Sequence, residues 1–176
     1  MSLPEAIREQ VRQRAAFACE FCGVIETDVG GLLTIDHFQP VAHGGTDAFD
    51  NLLYCCPRCN LYKADYWPAN RTERVLWNPR KTPATAQFLE MPDGTLRALT
   101  PEGGFTLQRL RLNRPPLVAH RLRKRTQAEE ARLLARYRDL VGALEHLRRQ
   151  EVALLQEQQR LLNEQRQLLR RLLGGE

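Results

Sequence analysis

A chain of 176 residues, 43% apolar and 27% charged, suits one ordinary globular domain or a small domain with extensions. No apolar run reaches the ~18 residues a membrane span needs. The polar start Met1-Ser2-Leu3-Pro4-Glu5 lacks the apolar core of a secretory signal, so a cytoplasmic chain without membrane association is expected. A formal charge of +5 and a pI near 9.2 suit a polyanionic partner. Lysine occurs only at Lys63, Lys81 and Lys124, and arginine supplies the rest. That bias fits bidentate phosphate binding and fits a GC-rich genome equally well.

Residues 2–17 read as a helix, with Ser2 and Glu5 as an S-x-x-E capping box and Pro4 in the first turn. Ile7, Val11, Ala15 and Ala18 share one face, which predicts packing onto whatever the following cysteines hold. An odd count of five Cys in a cytoplasmic chain argues for metal binding over disulfides. Cys19-Glu-Phe-Cys22 and Cys56-Pro-Arg-Cys59 each present two thiolates from a tight turn. Together they complete a tetrahedral, structural zinc site with no position open to water. The alternative is a pair of redox C-x-x-C motifs. Cys55 reads as a buried small residue, not a ligand.

A helix at 57–65 ends at Trp67-Pro68, and residues 69–85 are loop, broken by Pro79 and Pro83. Residues 87–91 and 95–99 flank Pro92-Asp93-Gly94 and predict a hairpin. Thr100-Pro101-Glu102 opens a helix to about Leu112. From Leu117 to about Leu173 there is no proline, and leucine recurs every seven residues at Leu133, Leu140, Leu147, Leu154, Leu161 and Leu168. Tyr137, Leu144 and Leu172 fill alternate seam positions, but Glu151, Gln158 and Gln165 are polar, so a plain two-stranded zipper is an imperfect fit. Arg109, Arg111, Arg114, Arg121, Arg123, Lys124 and Arg125 form a run without an acid. It reads as a phosphate-binding stripe or as a solvated helix face.

Between the two cysteine pairs lie Thr34-Ile35-Asp36-His37-Phe38-Gln39-Pro40, His43-Gly44-Gly45-Thr46-Asp47, Asp50-Asn51-Leu52-Leu53 and, from the second pair, Cys59-Asn60-Leu61-Tyr62-Lys63. Histidine titrates near neutral pH and can deprotonate water. Asp36 and His37 are adjacent at the end of a probable strand, so their side chains point apart, one free for a metal and one for a scissile phosphate. This constellation resembles the HNH endonuclease family over about residues 15–66, in its H-N-N variant. Leu112-Asn113-Arg114-Pro115 also resembles a segment that follows the nuclease core in stand-alone bacterial members.

The resemblance implies a small zinc-stapled ββα-metal nuclease domain, and the turn and heptad patterns add a hairpin and helix extension and a long C-terminal coiled-coil helix, so the expected chain is α+β. The expected boundaries are an N-terminal helix at 1–17, the nuclease domain at 18–66, the extension at 67–114 and the coiled coil at 115–176. It implies DNA phosphodiester hydrolysis leaving 5′-phosphate and 3′-hydroxyl ends. His37 is then the general base, Asn51 holds the His37 loop, and Asp36 with Asn60 carries a catalytic ion. Oxygen ligands favour Mg²⁺ or Mn²⁺ over a second zinc. Arg58 and Lys63 are expected to contact phosphate or to be solvated surface charges, and His43 to lie in a loop near substrate. His120 and His146 carry no expected role. The expected partners are DNA in preference to RNA and a second copy of the chain through the C-terminal helix. The competing functions are a non-catalytic zinc module that binds nucleic acid, and a nuclease subunit of a larger defence or mobile-element complex.

Overall fold

The computed structural model describes residues 3–70 and 72–173. The chain is α+β, with two small antiparallel sheets and a long C-terminal helix. The first helix, α1 (Glu5–Arg14), is shorter than the sequence suggests: Pro4 stands at its N-cap with no side-chain cap, and Ser2 lies outside the described residues. It ends where Ala16 and Phe17 adopt positive φ, a left-handed turn that no L-residue continues as helix. Val11 is fully buried, and α1 packs on the first sheet. A single turn, α2 (Glu26–Val29), follows.

Strands β1 (Thr34–His37) and β2 (Leu52–Cys55) pair antiparallel, Asp36 opposite Leu53 and His37 opposite Leu52. All four residues of β2 are buried, and this strand forms the centre of the core. Helix α3 (Pro57–Lys63) starts with Pro57 at its first position and Cys56 Sγ accepting from Cys59 N. It stops at Lys63 rather than at Trp67-Pro68, because Ala64 takes φ 51° and ψ −144°, a glycine-type conformation.

The hairpin forms as β3 (Phe88–Glu90) and β4 (Leu96–Ala98), two residues shorter per strand than its flanking pattern suggests. Helix α4 (Pro101–Arg109) is capped by Thr100, whose hydroxyl accepts from Gly103 N at 2.9 Å. Trp77 joins the hairpin to the first C-x-x-C loop through edge-on contacts with Phe88 at 5.3 Å and Phe21 at 6.1 Å. Asn113 clamps the β4 edge, accepting from Leu96 N at 2.7 Å and donating to Leu96 O at 2.8 Å.

Helix α5 (Pro115–Leu173) is continuous. The chain divides into two units, Met1–Lys124 and Arg125–Glu176. The first turns of α5 belong to the first unit. Arg121 is buried there, donating to Gly94 O at 2.6 Å and Leu112 O at 3.0 Å. Gly94 meets this helix so closely that a Cβ would fall 2.8 Å from Leu122 Cγ. In the second unit the leucines 133, 140, 147, 154, 161 and 168 all stay exposed.

Candidate active site

The four cysteines at 19, 22, 56 and 59 converge, with all Sγ atoms within 4.8 Å of one another and Cys22 Sγ 3.7 Å from Cys56 Sγ. A tetrahedral ion with bonds of about 2.3 Å needs sulfurs about 3.8 Å apart, so the set fits a four-thiolate zinc site. Among the described residues this is the one group of three or more His, Cys, Asp or Glu side chains close enough to hold a metal. The surrounding thiols, Cys22 foremost, hold Cys19 well below the usual thiol range. Cys55 is buried beside them, and Cys19 followed by burial pushes its thiol up, which keeps it a neutral packing residue.

Polar contacts tie this frame to its neighbours. Glu20, inside the first C-x-x-C, accepts from Tyr54 N at 2.7 Å and from Arg80 at 2.6 Å, with Arg14 at 3.5 Å. Arg14 also donates to the carbonyls of Phe49 and Leu52, fixing α1 against the turn that carries Asn51. Arg114 lies 3.8 Å from Cys59 Sγ and 4.0 Å from Cys56 Sγ while donating to Leu110 O. Leu112-Asn113-Arg114-Pro115 is therefore a brace between the β4 edge and the thiolates.

At the end of β1, alternation sends Asp36 toward α3 and His37 toward the 44–47 loop. His37 Nε2 lies 2.8 Å from Asp47 Oδ1. A neutral ring donating its Nε2 proton to that carboxylate keeps a lone pair on Nδ1. Asn51 holds the segment after His37: its Oδ1 accepts from Gln39 N at 2.8 Å, and its Nδ2 donates to Gln39 O at 3.0 Å and Thr46 O at 2.8 Å. Gly45 is required by close approach, since a Cβ there would lie 1.8 Å from Gln39 O. His43 is exposed, and its carbonyl accepts from Gln39 Nε2.

Asp36 Oδ2 is fully buried and makes no directed hydrogen bond, although Lys63 Nζ lies 2.9 Å away as an ion pair. Lys63 itself is 0% exposed and donates to His37 O at 2.6 Å. The phosphate contact expected at Lys63 is thus corrected to an internal cross-link from α3 to β1, because its stem runs through the core rather than along the surface. Asn60 sits one turn before Lys63 on the same face of α3 and is half-buried. Arg58 is exposed on another face.

The arginine run is divided in the same way. Arg109 stacks on Tyr66 and donates to Lys63 O, Arg114 serves the thiolates and Arg121 is buried, which leaves Arg111, Arg123, Lys124 and Arg125 exposed. His120, with no role expected, approaches Asp28 at 3.4 Å.

Residues 19–65 match the family model described as HNH endonuclease. Over these residues the chain is similar to HNH endonucleases. The match begins at the first zinc-site cysteine and ends two residues past Lys63, so it takes in the thiolates, β1, β2 and α3. No curated protein matches the chain. Beside the imidazole, Asp47 is the side chain that carried no expected role. It stands in the same Gly-Gly loop, ten positions from His37, and only the folded loop aims its carboxylate at the ring. No helix among the described residues is long and apolar enough to cross a membrane.

Proposed function

We propose that the protein is a divalent-metal-dependent endonuclease that hydrolyses DNA. The observation that carries this reading is the pairing of a ring held by Asp47 with the adjacent Asp36 carboxylate at the end of β1, within the residues that match the HNH endonuclease model. Asp36 and the Asn60 amide offer hard oxygen donors suited to Mg²⁺ or Mn²⁺. When bound there, such an ion supplies Lewis acidity toward the phosphate and leaving oxygens. His37 Nδ1 takes a proton from a water, which attacks phosphorus. The 3′-oxygen leaves and is protonated by solvent, giving 5′-phosphate and 3′-hydroxyl ends. Asp47 stabilises the imidazolium that forms, and Asn51 keeps the ring's loop fixed. We assign His43 and Arg58, both exposed, to contacts with phosphates beyond the reacting one. The zinc-site thiolates call for a reducing compartment, in keeping with a cytoplasmic protein.

The test is plasmid digestion across a series of divalent ions. The expected result is nicking with Mg²⁺ or Mn²⁺ that disappears in His37→Ala while zinc content is retained. Undiminished cutting by that variant refutes the assignment.

One observation favours a second reading, a non-catalytic module that binds nucleic acid. Lys63 pairs with Asp36 at 2.9 Å and so competes with a cation for that carboxylate. That reading predicts retained DNA binding with no metal-dependent turnover.

The exposed leucine column of α5 supports a homodimer that brings two HNH domains to one duplex, with residues 125–173 as the assembly device. Light scattering of the purified chain tests it, and a clean monomer points instead to a subunit awaiting a partner in a larger defence or mobile-element complex.

A further inference from the structure

Helix α3 offers two opposed faces. At 100° per residue, Asn60 and Lys63 point to one side, and Arg58 and Tyr62 to the other. The second side borders a groove of about 600 Å³ whose far wall is the first turns of α5, with His120 and Arg123. Arg58 and Arg123 are both exposed, and neither has an ion-pair or hydrogen-bond partner among the described residues. Arg114 lines the same groove, and the single acid there, Asp28, is turned to His120. At Tyr62 this groove meets a second one of about 560 Å³, which Arg109 and Arg111 line.

Arg111 stacks 4.8 Å over the Tyr62 ring and holds φ 49°, a left-handed conformation in which glycine is the low-energy choice. An arginine is thus kept at the junction against a backbone penalty.

We propose that this groove seats a phosphodiester backbone of the nucleic acid substrate away from the scissile phosphate, with Arg58 and Arg123 as the gripping residues and Arg111 extending the track beyond Tyr62. The inference rests on the nuclease reading and adds a second contact to it. Unpaired guanidinium forks on opposite walls match successive phosphates bidentately, and the one nearby carboxylate is already engaged. The opposed faces of α3 explain the division of labour. One face holds the reacting phosphate's surroundings rigid through Lys63, and the other reads charge without touching the chemistry.

The test is fluorescence anisotropy of a short labelled DNA duplex titrated with the full chain over a range of salt concentrations. The parent is His37→Ala, so that no cutting intervenes, and it is compared with the same parent carrying Arg58→Gln and Arg123→Gln. Losing two phosphate contacts lowers the slope of log affinity against log salt by about 1.8, at roughly 0.9 per phosphate, and weakens binding about tenfold or more at moderate salt. The pair Arg58→Lys and Arg123→Lys keeps the charge and is expected to keep most of the slope, which separates lost charge from lost fold. An unchanged slope and affinity in the glutamine pair overturns the proposal, as does equal loss in both pairs. The catalytic reading fails on a different readout, plasmid cutting by His37→Ala, so the two failures are distinguishable.

Discussion

Lys63 is a fully buried ammonium bridging the carboxylate of Asp36 and the carbonyl of His37, the two adjacent residues at the end of β1. Removing one partner of a buried pair strands the other, at a cost of about 3–5 kcal/mol. Lys63→Met is therefore expected to lower unfolding stability by that order, and Asp36→Asn in the same chain to recover part of it. Denaturant unfolding of the two single variants and the double checks this, and full additivity would show that the pair is not coupled. Ala64, next in sequence, sits at φ 51° and ψ −144°, a region natural to glycine. Ala64→Gly should raise stability by about 1 kcal/mol, read as a higher Tm. Neither residue's task was legible beforehand. A lysine three positions after Asn60 reads as a surface charge until the tertiary fold shows β1 lying against its stem, and alanine gives no hint that it must adopt a left-handed turn.

At the scale of elements, the zinc knuckles, the hairpin and the helices of the extension were readable because each rests on local rules: cysteine spacing, turn residues and caps. What sequence could not supply were the braces between elements. Arg114 is the clearest, arriving from the α4–α5 connection to face two thiolates. Groups that neutralise and orient metal ligands typically tune affinity about 10–100-fold. Arg114→Ala is expected to weaken zinc binding by that range in competition with a chelator, and unchanged affinity would reduce Arg114 to a packing role.

A second brace joins α1 to α2 and β2, where Arg12 grips Glu26 at 2.6 and 2.8 Å and the Tyr54 hydroxyl donates to the same carboxylate. Arg12 foremost, then Tyr54, hold the Glu26 carboxyl down to about 2 from its ordinary 4.5. A depressed folded-state value means this stabilisation is complete above about pH 4.5 and is lost as pH falls toward 2. Tm measured against pH should fall through that window in the native chain, and less steeply in Glu26→Gln. Identical profiles would remove Glu26 from the acid response.

For the whole molecule, the division of work follows the chain. The first unit, Met1–Lys124, contains the thiolates, the His37–Asp47 pair and the arginine groove, and the second, Arg125–Glu176, presents an unpartnered leucine face. The periodicity of that face was plain in sequence, whereas the identity of its partner is a property of the assembly and is encoded in no local pattern. Chemical rescue at position 37 shows whether that imidazole is the base. Single-turnover cleavage of a duplex should be followed for the zinc-loaded native chain and for His37→Gly, with Mg²⁺ present and with free imidazole added in steps. A general base accounts for about 10²–10⁴ in rate. A loss of that size is expected in the variant, partly restored in proportion to imidazole with no effect on the native chain. Equal cleavage by the variant, or a loss that imidazole leaves untouched while zinc and DNA binding persist, would contradict a base at position 37.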